Sequence, residues 1–204
     1  MPLARIRLVL WGLVVIAALG GAGFFGYRAL APVATSAAGL IPPSNAIGGP
    51  FALTDQNGKP VTDRDLKGKP TAMFFGFTFC PDVCPTTLSE ATMWLKALGP
   101  DAAKLNVVFV TVDPERDTAE ILKNYLSAFD DRILGLTGTP ESVQTIIKAY
   151  RVFARRVPHG DSYLMDHTAA IYLMNRDGRF VGTINYQEET SRALTKLKAL
   201  VAQS

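Results

Sequence analysis

The run Thr71-Ala-Met-Phe-Phe-Gly-Phe-Thr78 is almost unbroken in its apolarity and shows no alternation of wet and dry positions. A strand with one solvated face alternates; a continuous apolar strand has to be covered on both faces, which demands neighbouring strands on either side and helices above and below. The rest of the chain supplies them. Leu88, Ala91, Leu95 and Leu98 recur at helical spacing directly after the run, and Val107 to Val112 reads as a second buried strand. Thr118 to Phe129 follows as a helix with Asp117 as its N-cap, and Pro140 to Tyr150 as another with proline in its first turn. Phe51 to Thr54 and Val61-Thr62 flank Asn57-Gly58, a hairpin turn signal. Ala169 to Met174 and Phe180 to Ile184 form a second hairpin across Asn175 to Gly178, and Glu188 to Val201 closes as a helix. Strands alternating with helices, then a hairpin and a final helix, predict a mixed α/β sheet with flanking helices rather than an all-parallel wound sheet.

The formal net charge of +3 is not spread over this body. Arg5, Arg7 and Arg28 are the only cations before Lys59, no acidic residue precedes Asp55, and without those three the remaining Lys and Arg equal the 18 Asp and Glu. A nucleic-acid surface built on net basicity is therefore not expected. Between Arg7 and Arg28 runs the uncharged stretch Leu8 to Tyr27. At about 1.5 Å per residue it reaches roughly 30 Å as a helix, enough to span a bilayer core. A cleaved signal peptide, for which Ala29-Leu30-Ala31 would offer a site, fits less well because its apolar stretch is usually about 7–15 residues long. The flanking arginines predict a cytoplasmic N-terminus and a body on the far side, in a periplasm if the host is a bacterium. The expected organisation is thus a tip and single-pass anchor over residues 1–28, an Ala/Pro/Ser/Gly-rich tether over 29–47, and one domain over 48–204.

The chain has two cysteines, and both fall where the central strand turns into its helix, in Phe79-Cys80-Pro-Asp-Val-Cys84-Pro85. A spacing of four places them on one face of a helical turn, and a helix N-terminus favours thiolate over thiol. Such a pair can close a disulfide or share a soft metal ion. A merely structural disulfide is a poor explanation, because so short a loop removes little unfolded-state entropy. A closed zinc site is short of ligands, since only His159 and His167 accompany the cysteines. His159 sits in the turn-like Val157-Pro-His-Gly160 and reads as a solvated loop residue. His167 immediately precedes the strand at Ala169; on spacing alone it is a weak third ligand. If it joins, a Cys₂His set with two thiolates favours monovalent copper. Asp113 and Asp117, in Asp113-Pro-Glu-Arg-Asp117, read as structural, and Met73, Met93 and Met174 as core. Met165, close to His167, is a further thioether to consider.

Three motifs, Phe74-Phe-Gly-Phe-Thr-Phe-Cys-Pro-Asp-Val-Cys-Pro85, Thr111-Val-Asp-Pro-Glu-Arg-Asp-Thr118 and Asp166-His-Thr168, occur in an order that resembles the Sco/SenC copper chaperones. The resemblance runs from about Gly48 to the end; Thr168 stands where the family usually has serine. It implies a thioredoxin-like fold behind a membrane anchor in the bacterial inner membrane, and copper, Cu(I) first and Cu(II) as the alternative, on Cys80, Cys84 and His167. It also implies a role in assembling the binuclear copper site of a haem-copper cytochrome oxidase. The partners would be the copper-site subunit of that oxidase and other periplasmic copper chaperones or thiol reductants. His167 would fall near the place where thioredoxins carry a cis-proline facing their cysteines. The competing activity is thiol–disulfide exchange by Cys80 and Cys84, reducing the cysteines of the copper-site partner; a peroxidase is disfavoured, with Phe77 three residues before Cys80.

Overall fold

The computed structural model describes residues 38–203, together with Trp11. The expected span Leu8–Tyr27, apart from Trp11, and most of the tether lie outside the described residues, among which no helix is long and apolar enough to cross a membrane.

The strands in chain order are β1 (Ala52–Asp55), β2 (Pro60–Thr62), β3 (Thr71–Gly76), β4 (Asn106–Thr111), β5 (Ile133–Thr137), β6 (Ala154–His159), β7 (Ser162–His167), β8 (Ala170–Met174) and β9 (Phe180–Asn185). The α-helices are α1 (Val83–Leu98), α2 (Ala119–Leu126), α3 (Pro140–Ala149) and α4 (Thr190–Val201). Seven strands make one sheet in the order β2-β1-β5-β4-β3-β8-β9, and β6 and β7 form a separate two-stranded ribbon. The expected mixed sheet is present: β3, β4 and β5 are parallel, while β8 runs antiparallel to β3 and β1 to β5.

All six residues of β3 are buried, as its unbroken apolarity requires, and it is flanked by β4 and β8. Phe109, Leu122, Leu136, Ile146 and Leu173 are fully buried around it. The first hairpin turns through Gly58 at φ +82°, a conformation that glycine adopts without strain. The end of the stretch assigned by composition to a tether is packed. Leu40 is buried, Ile41 donates its N–H to the Val181 carbonyl, and Ser44 pairs with Phe180, so this segment covers the outer edge of β9.

Two sequence expectations are corrected here. Asp117 does not cap α2. Thr118 does, its side chain accepting from the Ile121 N–H, while Asp117 is fully buried and accepts from the Thr78 N–H, the Thr78 hydroxyl and the Thr111 hydroxyl. Met93 is not core: its position on α1 faces outward and is 53% exposed, whereas Met73 and Met174 are buried.

Topology sets where chemistry can occur. The carboxyl ends of parallel β3 and β4 open at one edge of the sheet, the usual place for a site in an open α/β fold. The loop after β3 carries Cys80 and the turn after β4 carries Asp113 to Asp117. Because β8 is antiparallel to β3, with Ile171 opposite Phe74, the residues just before β8 return to that same edge. Those residues include His167.

Candidate metal centre

Cys80 lies in the loop after β3, half-buried, and Cys84 is the second residue of α1, fully buried. The first N–H groups of a helix lack intrahelical partners. Here the Cys84 N–H points at Cys80 Sγ, 3.4 Å away, and the Asp82 side chain makes no cap. The Cys80 sulfur thus takes the place of a capping oxygen, where a negative charge is favoured. The Cys84 thiol, donating to it, is the largest influence, and His167 and the backbone N–H groups of Asp82 and Cys84 add to it. Together they hold the Cys80 thiol far below its ordinary range, at about 4. Cys84 is pushed strongly up, because it gives its hydrogen to Cys80, is buried, and faces the Cys80 charge. The pair therefore shares one proton, with the charge on the more exposed sulfur.

Gly76 makes this packing possible. A Cβ there would stand 2.8 Å from Cys84 Sγ and 2.8 Å from Phe109 Cε2, so only hydrogen fits between strand and thiol. The one small residue in the aromatic run of β3 is the seat of Cys84.

His167 ends β7 and is half-buried. Its ring packs edge-on against Phe74 and Phe77, with centroids 5.9 and 5.8 Å away. Its Nδ1 lies 3.2 Å from the Thr168 carbonyl, which can only accept, so an Nδ1–H has a partner there. Its Nε2 faces Cys84 Sγ at 3.5 Å. One ligand atom each from Cys80, Cys84 and His167 lies within 4.8 Å of the others, the one such cluster of metal-ligating side chains found among the described residues. At bond lengths of roughly 2.0–2.3 Å for imidazole and thiolate, a three-coordinate site has edges of about 3.5–4 Å. Closing the observed triangle on an ion requires sub-ångström to ångström adjustments. Two soft thiolates and one imidazole suit a soft, low-coordinate ion.

The other candidates fall elsewhere. His159 is exposed at the tip of the ribbon, opposite Ser162. Met165 is half-buried on β7, across from Arg156. Asp113 is buried in an ion pair with Arg116. The ribbon was not legible as strands, and with it went the fact that His167 ends a strand rather than occupying a loop.

A thioredoxin-like sheet bearing a close thiol pair at a helix N-terminus and an imidazole from across the sheet edge defines a class of redox- or metal-handling domain. The sequence model of the SCO1/SenC family matches residues 41–202, and the chain belongs to that family. It is 44% identical over 153 residues to the mitochondrial protein SCO2 of Saccharomyces cerevisiae, an alignment covering 72% of this chain and 51% of the relative. The chain thus spans about half the length of that relative. The solved structure of ScoI from Bradyrhizobium japonicum with copper bound is 57% identical, with a TM-score of 0.72 over 76% of this chain and 99% of that one. BsSco, described as having a disulfide switch and as a member of the Sco family of cytochrome c oxidase assembly proteins, is 25% identical, with a TM-score of 0.65 over 80% of this chain and 98% of that one.

Proposed function

We propose that this protein is a copper carrier that binds one Cu(I) through Cys80, Cys84 and His167 and passes it to the binuclear copper site of a haem-copper cytochrome oxidase. The observation that carries the reading is the convergence of two sulfurs and an imidazole nitrogen within 4.8 Å at the sheet edge. It is supported by the copper in the ScoI relative and by the oxidase-assembly description of BsSco. Two thiolates and an imidazole bind Cu(I) tightly, while a half-exposed Cys80 leaves one ligand free to exchange with an incoming cysteine. Cu(II) would be held less well by the same set. Residues 1–28 serve as tip and anchor, 29–47 as a linker whose last part docks on β9, and 48–204 as the copper-binding domain, held on the outer face of a bacterial inner membrane. The uncharged Leu8–Tyr27 stretch and its flanking arginines support that placement.

A second reading is favoured by one observation, the unequal cysteines. A Cys80 thiolate beside a protonated Cys84 is arranged to attack a disulfide, forming a mixed disulfide that Cys84 then resolves; the partner gains two thiols and this protein a Cys80–Cys84 disulfide. The readings separate on His167. Anaerobic loading of the reduced protein should give one Cu(I) per chain, transferable to a metal-free oxidase copper domain, and His167→Ala should impair this. Disulfide reduction on the oxidised copper domain should survive His167→Ala and be abolished by Cys80→Ala. Stoichiometric copper retained by both Cys84→Ala and His167→Ala would refute the carrier reading.

A further inference from the structure

The two halves of the site come from separate pieces of the fold. The cysteines belong to the β3–α1 loop of the main sheet, and His167 to the β6–β7 ribbon, which has no ladder to that sheet. Ala154 pairs with His167 at the ribbon's base, which is secured by the Thr168 N–H to the Phe153 carbonyl and the Phe153 N–H to Thr168 Oγ1, with Ala154, Leu164 and Met165 packed against the core. No backbone ladder fixes the ribbon against the cysteine loop, so side-chain contacts set where it and His167 stand.

Side chains bridge the halves, with Arg116 at their centre. Arg116, in the turn after β4, pairs through Nε with buried Asp113 at 2.5 Å and donates from Nη1 to the Tyr163 carbonyl on β7 at 3.1 Å. Its guanidinium carbon lies 3.7 Å from the centre of the Tyr163 ring and 4.6 Å from that of Phe79, the neighbour of Cys80. The Tyr163 hydroxyl in turn donates to the other oxygen of Asp113 at 3.0 Å. Further out, Arg156 of the ribbon pairs with Glu115 of the same turn. The Arg116 side chain is only 18% exposed, so the contact is not a screened surface pair.

We propose that Arg116 is a positioning residue: with Asp113 and Tyr163 it clasps the ribbon to the cysteine loop and so fixes His167 Nε2 within bonding reach of a Cu(I) ion on Cys80 and Cys84. The inference rests on the copper reading above and deepens it. A planar guanidinium suits the role because it can lie against two rings while its edge makes two directed hydrogen bonds, which an ammonium cannot. Groups that orient a metal ligand from behind commonly change metal affinity by about 10–100-fold.

The test is a double-mutant cycle on the full reduced protein, reading Cu(I) affinity by competition with a chromophoric chelator and ligation by copper X-ray absorption. Tyr163→Ala removes the ring against Arg116 and the hydroxyl's bond to Asp113, and leaves the Arg116–Asp113 pair and the Arg116 bond to the residue-163 carbonyl intact. Arg116→Lys keeps a counter-ion for Asp113 but loses the stacking and the second hydrogen bond. Each should weaken Cu(I) binding by roughly tenfold or more, with loss of the imidazole signal. In a His167→Ala background the same changes should have less than about a twofold effect, because a positioning residue has nothing left to position. Equal losses in both backgrounds, or full affinity with an intact imidazole signal in both variants, would overturn the proposal. If His167→Ala alone leaves affinity unchanged, the copper reading itself fails and takes the clasp with it.

Discussion

Gly76→Ala is a one-carbon change that should damage the site from beneath. The new Cβ would stand 2.8 Å from Cys84 Sγ, 2.8 Å from Phe109 Cε2 and 3.1 Å from Phe74 Cε1, where ordinary contacts are 3.4–4 Å. Something must move by roughly half an ångström to an ångström, and the choices are few. The backbone of β3 is held on both sides, with Gly76 opposite Thr111 in β4 and Phe74 opposite Ile171 in β8. Phe109 is fully buried and packed against Phe74 and Tyr125. The Cys84 sulfur is one of the two nearest atoms, and it belongs to the metal site. Overpacking of this kind costs about 1–3 kcal/mol. In a domain of this size each kcal/mol lowers Tm by about 2–4 °C. Displacing Sγ also disturbs its 3.5 Å approach to His167 Nε2 and its hydrogen bond to Cys80. Cu(I) affinity should therefore fall by about tenfold or more, equivalent to about 1.4 kcal/mol. Gly135→Ala is the control: its Cβ would crowd Leu126 and Gln56 and touch no site residue, so it should cost stability without changing Cu(I) affinity. Thermal unfolding and chelator competition on both variants decide the matter. A Gly76→Ala protein with unaltered Tm and unaltered affinity would refute the claim that this glycine seats Cys84.

Three further outcomes follow from the electrostatics. Alkylation of Cys80 should proceed through a thiolate titrating near pH 4, and Cys84→Ala, which removes the largest stabilising hydrogen bond, should move that midpoint up; a wild-type midpoint near 9 would contradict the geometry. Burial raises the Asp117 carboxyl despite its three hydrogen bonds, so the folded state holds that proton more tightly than the unfolded chain. Its contribution to stability is greatest below the ordinary carboxylate value and is lost as pH rises through the raised one. Asp117→Asn can keep the contacts with the two threonines by hydroxyl rotation, so its stability relative to wild type should improve from pH 4 to pH 7 in denaturant titrations, and a constant difference would exclude the assignment. Copper binding should weaken on acidification, because protons compete for Cys84 and the His167 imidazole; flat affinity from pH 8 to pH 5 would count against these ligands.

How much of this was readable in the chain depended on whether a residue's neighbours were local. The apolarity of Thr71 to Gly76 dictated a two-sided strand, and the apolar spacing from Leu88 dictated a helix; both are present because each pattern reports burial directly. Strand β5 escaped notice: it is short, and its central Gly135 serves the backbone of Gln56, whose N–H it accepts and whose side chain it meets, a contact remote in sequence. The β6–β7 ribbon lacks a dry face. With Arg155, Arg156 and Pro158 on one strand, it carries no alternation to read. Asp117 looked like a cap because a carboxylate before a helix usually is one, yet its neighbour Thr118 could cap equally well. Only the folded chain brings Thr78 and Thr111 to Asp117. The cysteines were evident from their spacing. His167 was not, on spacing alone, since its approach to Cys84 depends on β8 pairing antiparallel to β3.

The central claim is that three side chains from two sides of the sheet edge hold one ion. A crystal structure of the reduced, Cu(I)-loaded protein tests it directly. A single copper about 2.0–2.3 Å from Cys80 Sγ, Cys84 Sγ and His167 Nε2 is the predicted result. An ion bound elsewhere, or held by the two sulfurs with His167 turned away into solvent, would contradict it.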